Sequence, residues 1–317
     1  MMTEPEHSNQ GKPVLLGLVP PVLRARGFRL YTQGGGRLVD LWQYGGAAIL
    51  GHTPAGILRS LKNTAERGLF VPFPHPLENR LRKALSRLFP DRVFRLYPDT
   101  LSLRRALIQA GLSGPGEWPF YDPALSSNQG RPPDSGPEMS SDNPARFPDR
   151  PLSLWRPFLE GPEGPPSPAS PFVPVLPWPA APRVLVLEPE QAHPFPPPDL
   201  IPPVFLAAAL RGVYDLIAAG PERGVVKFRH IKKALSQSKW RRRGIYLSLT
   251  ETLAEEDYAG LFRRFLEQGF LLPPAQDQPL ILPACLSPGE EAKLAQLLVP
   301  AQQTAGVQDN ILKKSLN

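Results

Sequence analysis

With Cys285 as its only cysteine, the 317-residue chain has no partner for an internal disulfide and no thiolate cluster for a metal. That thiol is expected to pack as a small buried apolar side chain. Long apolar runs are also missing, and none approaches the roughly 20 residues that span a bilayer. The opening MMTEPEHSNQGK is acidic and polar, where a secretory signal needs a basic start and an apolar stretch. These absences point to a cytoplasmic protein with no membrane partner. Lysine is absent from 84 to 226, and arginine does not occur after Arg264. No spacing of His, Cys, Asp and Glu suggests a metal site.

Proline, by contrast, is abundant. The chain has 43, and 24 of them lie between Tyr121 and Val204, which excludes continuous helix or central strand there. Apolar residues make up 41%, enough to fill a core. The net charge is +7, and Arg223 to Arg243 carries nine Lys or Arg against no acid. A run of this kind can meet nucleic acid, but without interleaved aromatics a solvated face is the simpler reading, and nucleic acid is not the expected partner.

The stretch GFRLYTQGGGRLVDLW alternates apolar and polar residues around Gly34-Gly35-Gly36 and predicts a β-hairpin. Thr53-Pro54 predicts a helix start, with Thr53 at the N-cap and Pro54 at the first helical position. A second helix is predicted from Pro76 to Phe89, a strand from Val93 to Tyr97 and a third helix from Asp99 to Ala110. Residues 112 to 182 read as a proline-rich loop or disordered insert, with Trp155, Phe158, Phe172 and Trp178 as anchors. The next elements are a strand at Arg183–Leu187, helices at Val204–Ala219 and Val226–Gln237, and a strand in GIYLSLTET. The chain closes with a helix at Glu255–Gln268, a strand in LILPAC and a helix at Pro288–Leu298.

This order resembles the class III aminotransferases, pyridoxal-phosphate enzymes of fold type I. Leu50-Gly51-His52 with the nearby Pro54 is similar to the family's "L-G-H-x-x-P", and VFRLYPDTLSLRRAL falls where the family has "V-F-F-x-N-S-G-T-E-A-N-E-A-A-L". RRGIYLSLTET and the segment up to Leu298 are similar to its small domain. The resemblance implies an α/β protein: a truncated fold type I large domain with a small α+β domain built from both chain ends. The divisions implied are a disordered 1–18, the N-terminal part of the small domain at 19–50, a reduced large domain at 51–203, the rest of the small domain at 204–299, and a tail at 300–317. It also implies a homodimer, or a heterodimer with a full-length paralogue.

The family's chemistry needs a Schiff-base lysine and an acid that keeps the pyridine nitrogen protonated. No lysine lies between Lys83 and Lys227, and the segment from Glu188 to Pro203 is too short for an aspartate strand and a lysine loop. Laid on "N-S-G-T", the phosphate turn reads Tyr97, Pro98, Asp99 and Thr100, so only Thr100 is kept. Pro98 removes an N–H, and Asp99 brings a carboxylate to a helix start that it is suited to cap. Phe120 or Tyr121 stands in for the ring that stacks on the cofactor. The arginine for the substrate carboxylate is missing near LILPACL. No catalytic residue is expected, and pyridoxal phosphate only if the family activity is retained. His52 and Gly51 are the remaining candidates, as a pocket lining, a subunit contact or a locally satisfied pair. The expectation is a catalytically degenerate member acting as a binding, regulatory or partner subunit. The alternatives are an enzyme active only in a mixed dimer or through a non-standard lysine, and nucleic-acid binding through 223–243.

Overall fold

The computed structural model describes residues 15–111, 120–125, 152–159, 171–192, 195–196, 198–223 and 228–299. Its first sheet joins the two chain ends. Strands β1 (Val22–Arg26), β2 (Arg29–Thr32) and β3 (Arg37–Asp40) run antiparallel, and β11 (Phe270–Leu271) pairs parallel with β3. The β2–β3 hairpin turns through Gly34 and Gly35, both at positive φ, a region that glycine enters without a Cβ clash. A second sheet has the order β12 (Leu280–Ile281), β10 (Tyr246–Leu249), β9 (Trp240–Arg243), all antiparallel.

The third sheet has the order β4 (Val93–Tyr97), β8 (Arg183–Leu187), β7 (Phe172–Pro174), β6 (Leu152–Trp155), β5 (Phe120–Tyr121). Strands β5, β6 and β7 are parallel, and β8 runs against both β7 and β4, so β4 points the same way as β5 to β7. Successive side chains of a strand face opposite ways. Phe94, Leu96, Val184 and Val186 therefore pack on α2 (Leu77–Leu85) and α4 (Pro203–Arg223), while Tyr97, Leu185 and Leu187 pack under α3 (Thr100–Gln109). Burial on both faces explains why β8 reads as an unbroken apolar run.

Helix α4 packs against α1 (Ala55–Ala65) and α2. Its 18 residues from Pro203 to Gly220, with mean hydropathy 1.4, are long and apolar enough to cross a membrane, contrary to the expectation that no such run exists. More than half of that window is buried, and Leu206, Ala209, Leu210 and Val213 fill the core beside the sheet. Each large apolar side chain so buried contributes roughly 1.5–3 kcal/mol. The C-terminal helices are α5 (Arg229–Leu235), α6 (Glu255–Glu267) and α7 (Pro288–Leu298), with α5 packed on α7.

Several expectations are corrected. The segment 112–182 is not loop throughout, since β5, β6 and β7 lie within it and complete the sheet; residues 112–119, 126–151 and 160–170 lie outside the described residues. These strands precede β8 in the chain, so 188–203 is not where further strands of the sheet fall. Pro54, not Thr53, is the N-cap of α1, and no side chain caps that end. The basic run divides between α5 and β9 rather than following one helix. Cys285 is exposed, not buried. The expected ends 1–14 and 300–317 lie outside the described residues.

Candidate functional site

In an α/β sheet the carboxyl ends of the parallel strands form the edge where ligands collect. Here that edge carries Pro98 and Asp99 after β4, Asp122 after β5, Arg156 after β6 and Val175 after β7, with Arg183 opening the antiparallel β8 beside them. Glu188, at the other end of β8, lies on the opposite edge, where it is ion-paired to Arg92.

The β4–α3 turn is filled by its own side chains. Asp99 Oδ1 accepts the Ser102 N–H at 2.7 Å, and this hydrogen bond holds the carboxyl below its ordinary range. A carboxylate at the N-cap satisfies a donor that a bound anion would otherwise use. Thr100 Oγ1 accepts Arg183 Nε at 3.0 Å. Burial pushes the pKa of the Arg183 guanidinium down against the opposing fields of Tyr44 and Asp99. Sequence reasoning placed Pro98, Asp99 and Thr100 at this turn but missed Arg183, which is 83 residues away in the chain.

The centre of the edge is occupied by a buried ion pair. Arg156 Nε and Nη2 donate to the two oxygens of Asp122 at 2.7 and 2.5 Å, and the Ala124 N–H donates to Oδ1 at 3.0 Å. The remaining Nη1 donates to the Gly45 carbonyl at 2.8 Å, and the guanidinium lies 5.5 Å from the Tyr246 ring centroid. Burial disfavours the Arg156 charge, but the Asp122 carboxylate more than offsets it, and the net effect raises the arginine's pKa. One guanidinium thus ties the ends of β5 and β6 to the loop after β3 and faces β10. Tyr121 and Phe120, the expected stacking rings, are half-buried on β5, the last strand of the sheet.

His52 and Gly51 lie away from this edge. Gly51 has φ +92, and a Cβ there would stand 3.2 Å from the Gly27 carbonyl, so the backbone itself demands glycine. The His52 N–H donates to that same carbonyl, and Nε2 meets Asp40 Oδ2 at 2.8 Å. Asp40 is 2% exposed, and its Oδ1 accepts the N–H groups of Trp42 and Gln43 at 2.9 Å each. The following loop is strained at Gln43 and Tyr44, two non-glycine residues at positive φ, before Gly45 and Gly46 continue the turn.

The remaining candidates are dispersed. Lys62, Lys83, Lys232, Lys233, Lys239 and Lys293 are all exposed and none lies at the strand ends; Lys227 is outside the described residues. Near Cys285 the missing arginine is matched in space by Arg29 from the other chain end, donating to the Cys285 carbonyl at 3.1 Å, but Glu290 holds it at 2.6 Å. In the basic run, Arg242 donates to the Gly244 carbonyl and lies over Phe228, and Arg243 donates to the Pro123 carbonyl. No group of three or more metal-ligating side chains occurs among the described residues.

A sheet of parallel strands with one antiparallel member, joined to a smaller unit made from both chain ends, is the fold of the fold type I aminotransferases. Ornithine delta-aminotransferase of Plasmodium falciparum superposes with a TM-score of 0.58 over 92% of this chain and 94% of its own, at 13% identity. An omega-transaminase from Sphaerobacter thermophilus gives 0.56 over 88% and 90%, at 14% identity. In sequence, a protein of Treponema pallidum described as uncharacterized is 27% identical over 293 residues, 83% of this chain and 88% of that one. Glutamate-1-semialdehyde 2,1-aminomutase of Thermus thermophilus is 37% identical over 76 residues, 24% of this chain and 18% of its own length. No family model matches the chain.

The residues present do not suit pyridoxal phosphate. Its chemistry needs a lysine amine and a carboxylate free to meet the ring nitrogen. Among the described residues no lysine lies at this edge, and Asp122 already accepts three hydrogen bonds, from Arg156 and the Ala124 N–H.

Proposed function

We propose that this chain uses an aminotransferase-type fold for binding or as a partner subunit, and that it does not transaminate. The observation that carries this reading is the buried Arg156–Asp122 pair at the strand ends, in a stretch of 143 residues (84 to 226) without lysine. A cation there supplies neither the nucleophile nor the proton shuttle that transamination needs. Asp99 compounds this at the β4–α3 turn, where its carboxylate repels a dianion. A partner role is supported by Phe70, Val71 and Phe73, each more than half exposed close together in the chain after α1. The partner expected is a second copy or a full-length paralogue.

The test is an assay of the purified chain with added pyridoxal phosphate and L-ornithine or glutamate-1-semialdehyde as substrate. No turnover above the protein-free blank is expected. Turnover by the chain alone would overturn the reading. Turnover only after addition of a lysine-bearing paralogue would establish the mixed dimer instead.

A further inference from the structure

A cleft of about 310 Å³ opens beside the strained loop and is lined by Val22, Leu30, Asp40, Trp42, Tyr44 and His52 among others. Its volume lies at the lower end for small-molecule sites, and its character, mostly apolar with a few convergent polar groups, is typical of them. We propose that this cleft binds a small aromatic molecule carrying a hydroxyl group.

The aromatic part follows from two rings. Trp42 and Tyr44 stand 5.1 Å apart at an interplanar angle of 58°. The Trp42 indole N–H donates to Gln278 Oε1 at 2.7 Å, so this ring is already fixed and loses little freedom when a ligand packs on it. Tyr44, by contrast, remains 54% exposed, in a left-handed conformation unfavourable for a bulky residue. Strain that leaves an aromatic side chain in solvent is characteristic of ligand clamps.

The hydroxyl follows from the histidine. Asp40 accepts three hydrogen bonds, from Trp42 N, Gln43 N and His52, and has little capacity left for a ligand. Because a carboxylate only accepts, the proton shared with Asp40 sits on His52 Nε2, which leaves Nδ1 as the ring nitrogen not committed to Asp40. Among the described residues no hydrogen bond reaches Nδ1. A ligand hydroxyl, which can both donate and accept, complements it. Tyr44 and Gly45 adjoin Arg183 and Arg156 at the edge of the β4–β8 sheet, but neither Asp40 nor His52 lies on that edge, and the binding proposed needs no transaminase chemistry.

The experiment follows the ring resonances of His52 and the indole resonance of Trp42 by NMR while p-cresol is added to the full chain. Saturable shifts with a Kd of about 1 mM are expected. Toluene, which has the same body without the hydroxyl, should bind about five-fold more weakly, the worth of one net hydrogen bond. Val22→Trp, at an exposed position of β1 that lines the cleft, should abolish the response. Absence of saturable shifts up to about 10 mM p-cresol, equal affinity for toluene, or an unchanged response in Val22→Trp would each overturn the proposal.

Discussion

Burying a guanidinium costs several kcal/mol unless a carboxylate and further acceptors meet it, and Arg156 has both. Removing the partner alone should therefore be severe. Asp122→Ala is expected to lower unfolding free energy by about 3–5 kcal/mol in a urea titration. Replacing both members, Arg156→Met with Asp122→Leu, removes the buried charge as well and should leave only the Gly45 carbonyl and the Ala124 N–H without partners, at about 1–3 kcal/mol each. Glu290 offers a pH-dependent counterpart. Burial pushes its pKa up, but hydrogen bonds from Arg29 and Ser287 outweigh this and hold it below the ordinary 4.5. A lowered folded-state pKa gives stability that is complete above the unfolded value and is lost as the pH falls through the folded value. Between about pH 5 and pH 3 the wild type should lose more stability than Glu290→Gln. Equal pH slopes would show that the Arg29–Glu290 pair contributes nothing. None of these pairings is visible in the sequence, because Asp122 and Arg156 are 34 residues apart, and Arg29 and Glu290 are 261 apart.

Elements with a full periodic pattern or a strong cap were legible. Helix α3 begins where Asp99 follows Pro98, and the Asp99–Ser102 hydrogen bond is the cap that the residue type suggests. Asp99→Ala should cost about 1 kcal/mol by thermal or chemical unfolding. A smaller loss would mean that the turn is held by the Arg183–Thr100 contact instead. Strands β5, β6 and β7 were not legible. They have two to four residues each, too short for a period of two to register, and the surrounding prolines argued for loop. The large aromatics were the available signal, since Phe89 stacks edge-on against both Trp155 and Phe172 at 5.0 Å. Missing these strands also misplaced the expected aspartate strand and lysine loop after β8. Gly51 was legible as part of a motif but not for its reason, the 3.2 Å approach to the Gly27 carbonyl. Gly51→Ala should destabilise by roughly 1–3 kcal/mol and move the His52 resonances.

At the scale of the molecule, the two chain ends combine in one sheet and the middle builds another, the architecture of the aminotransferases it superposes on. A fold supports many functions, and the site decides among them. Here Arg156 and Asp122 are bonded to each other at the site edge, Asp99 caps α3, and Arg183 donates through Nε to Thr100. The most direct measurement is the intact mass of the purified chain after incubation with pyridoxal phosphate and reduction with borohydride. The expected result is no stoichiometric adduct, with only scattered, substoichiometric labelling of exposed lysines. One cofactor per chain, mapped to a single lysine, would contradict it.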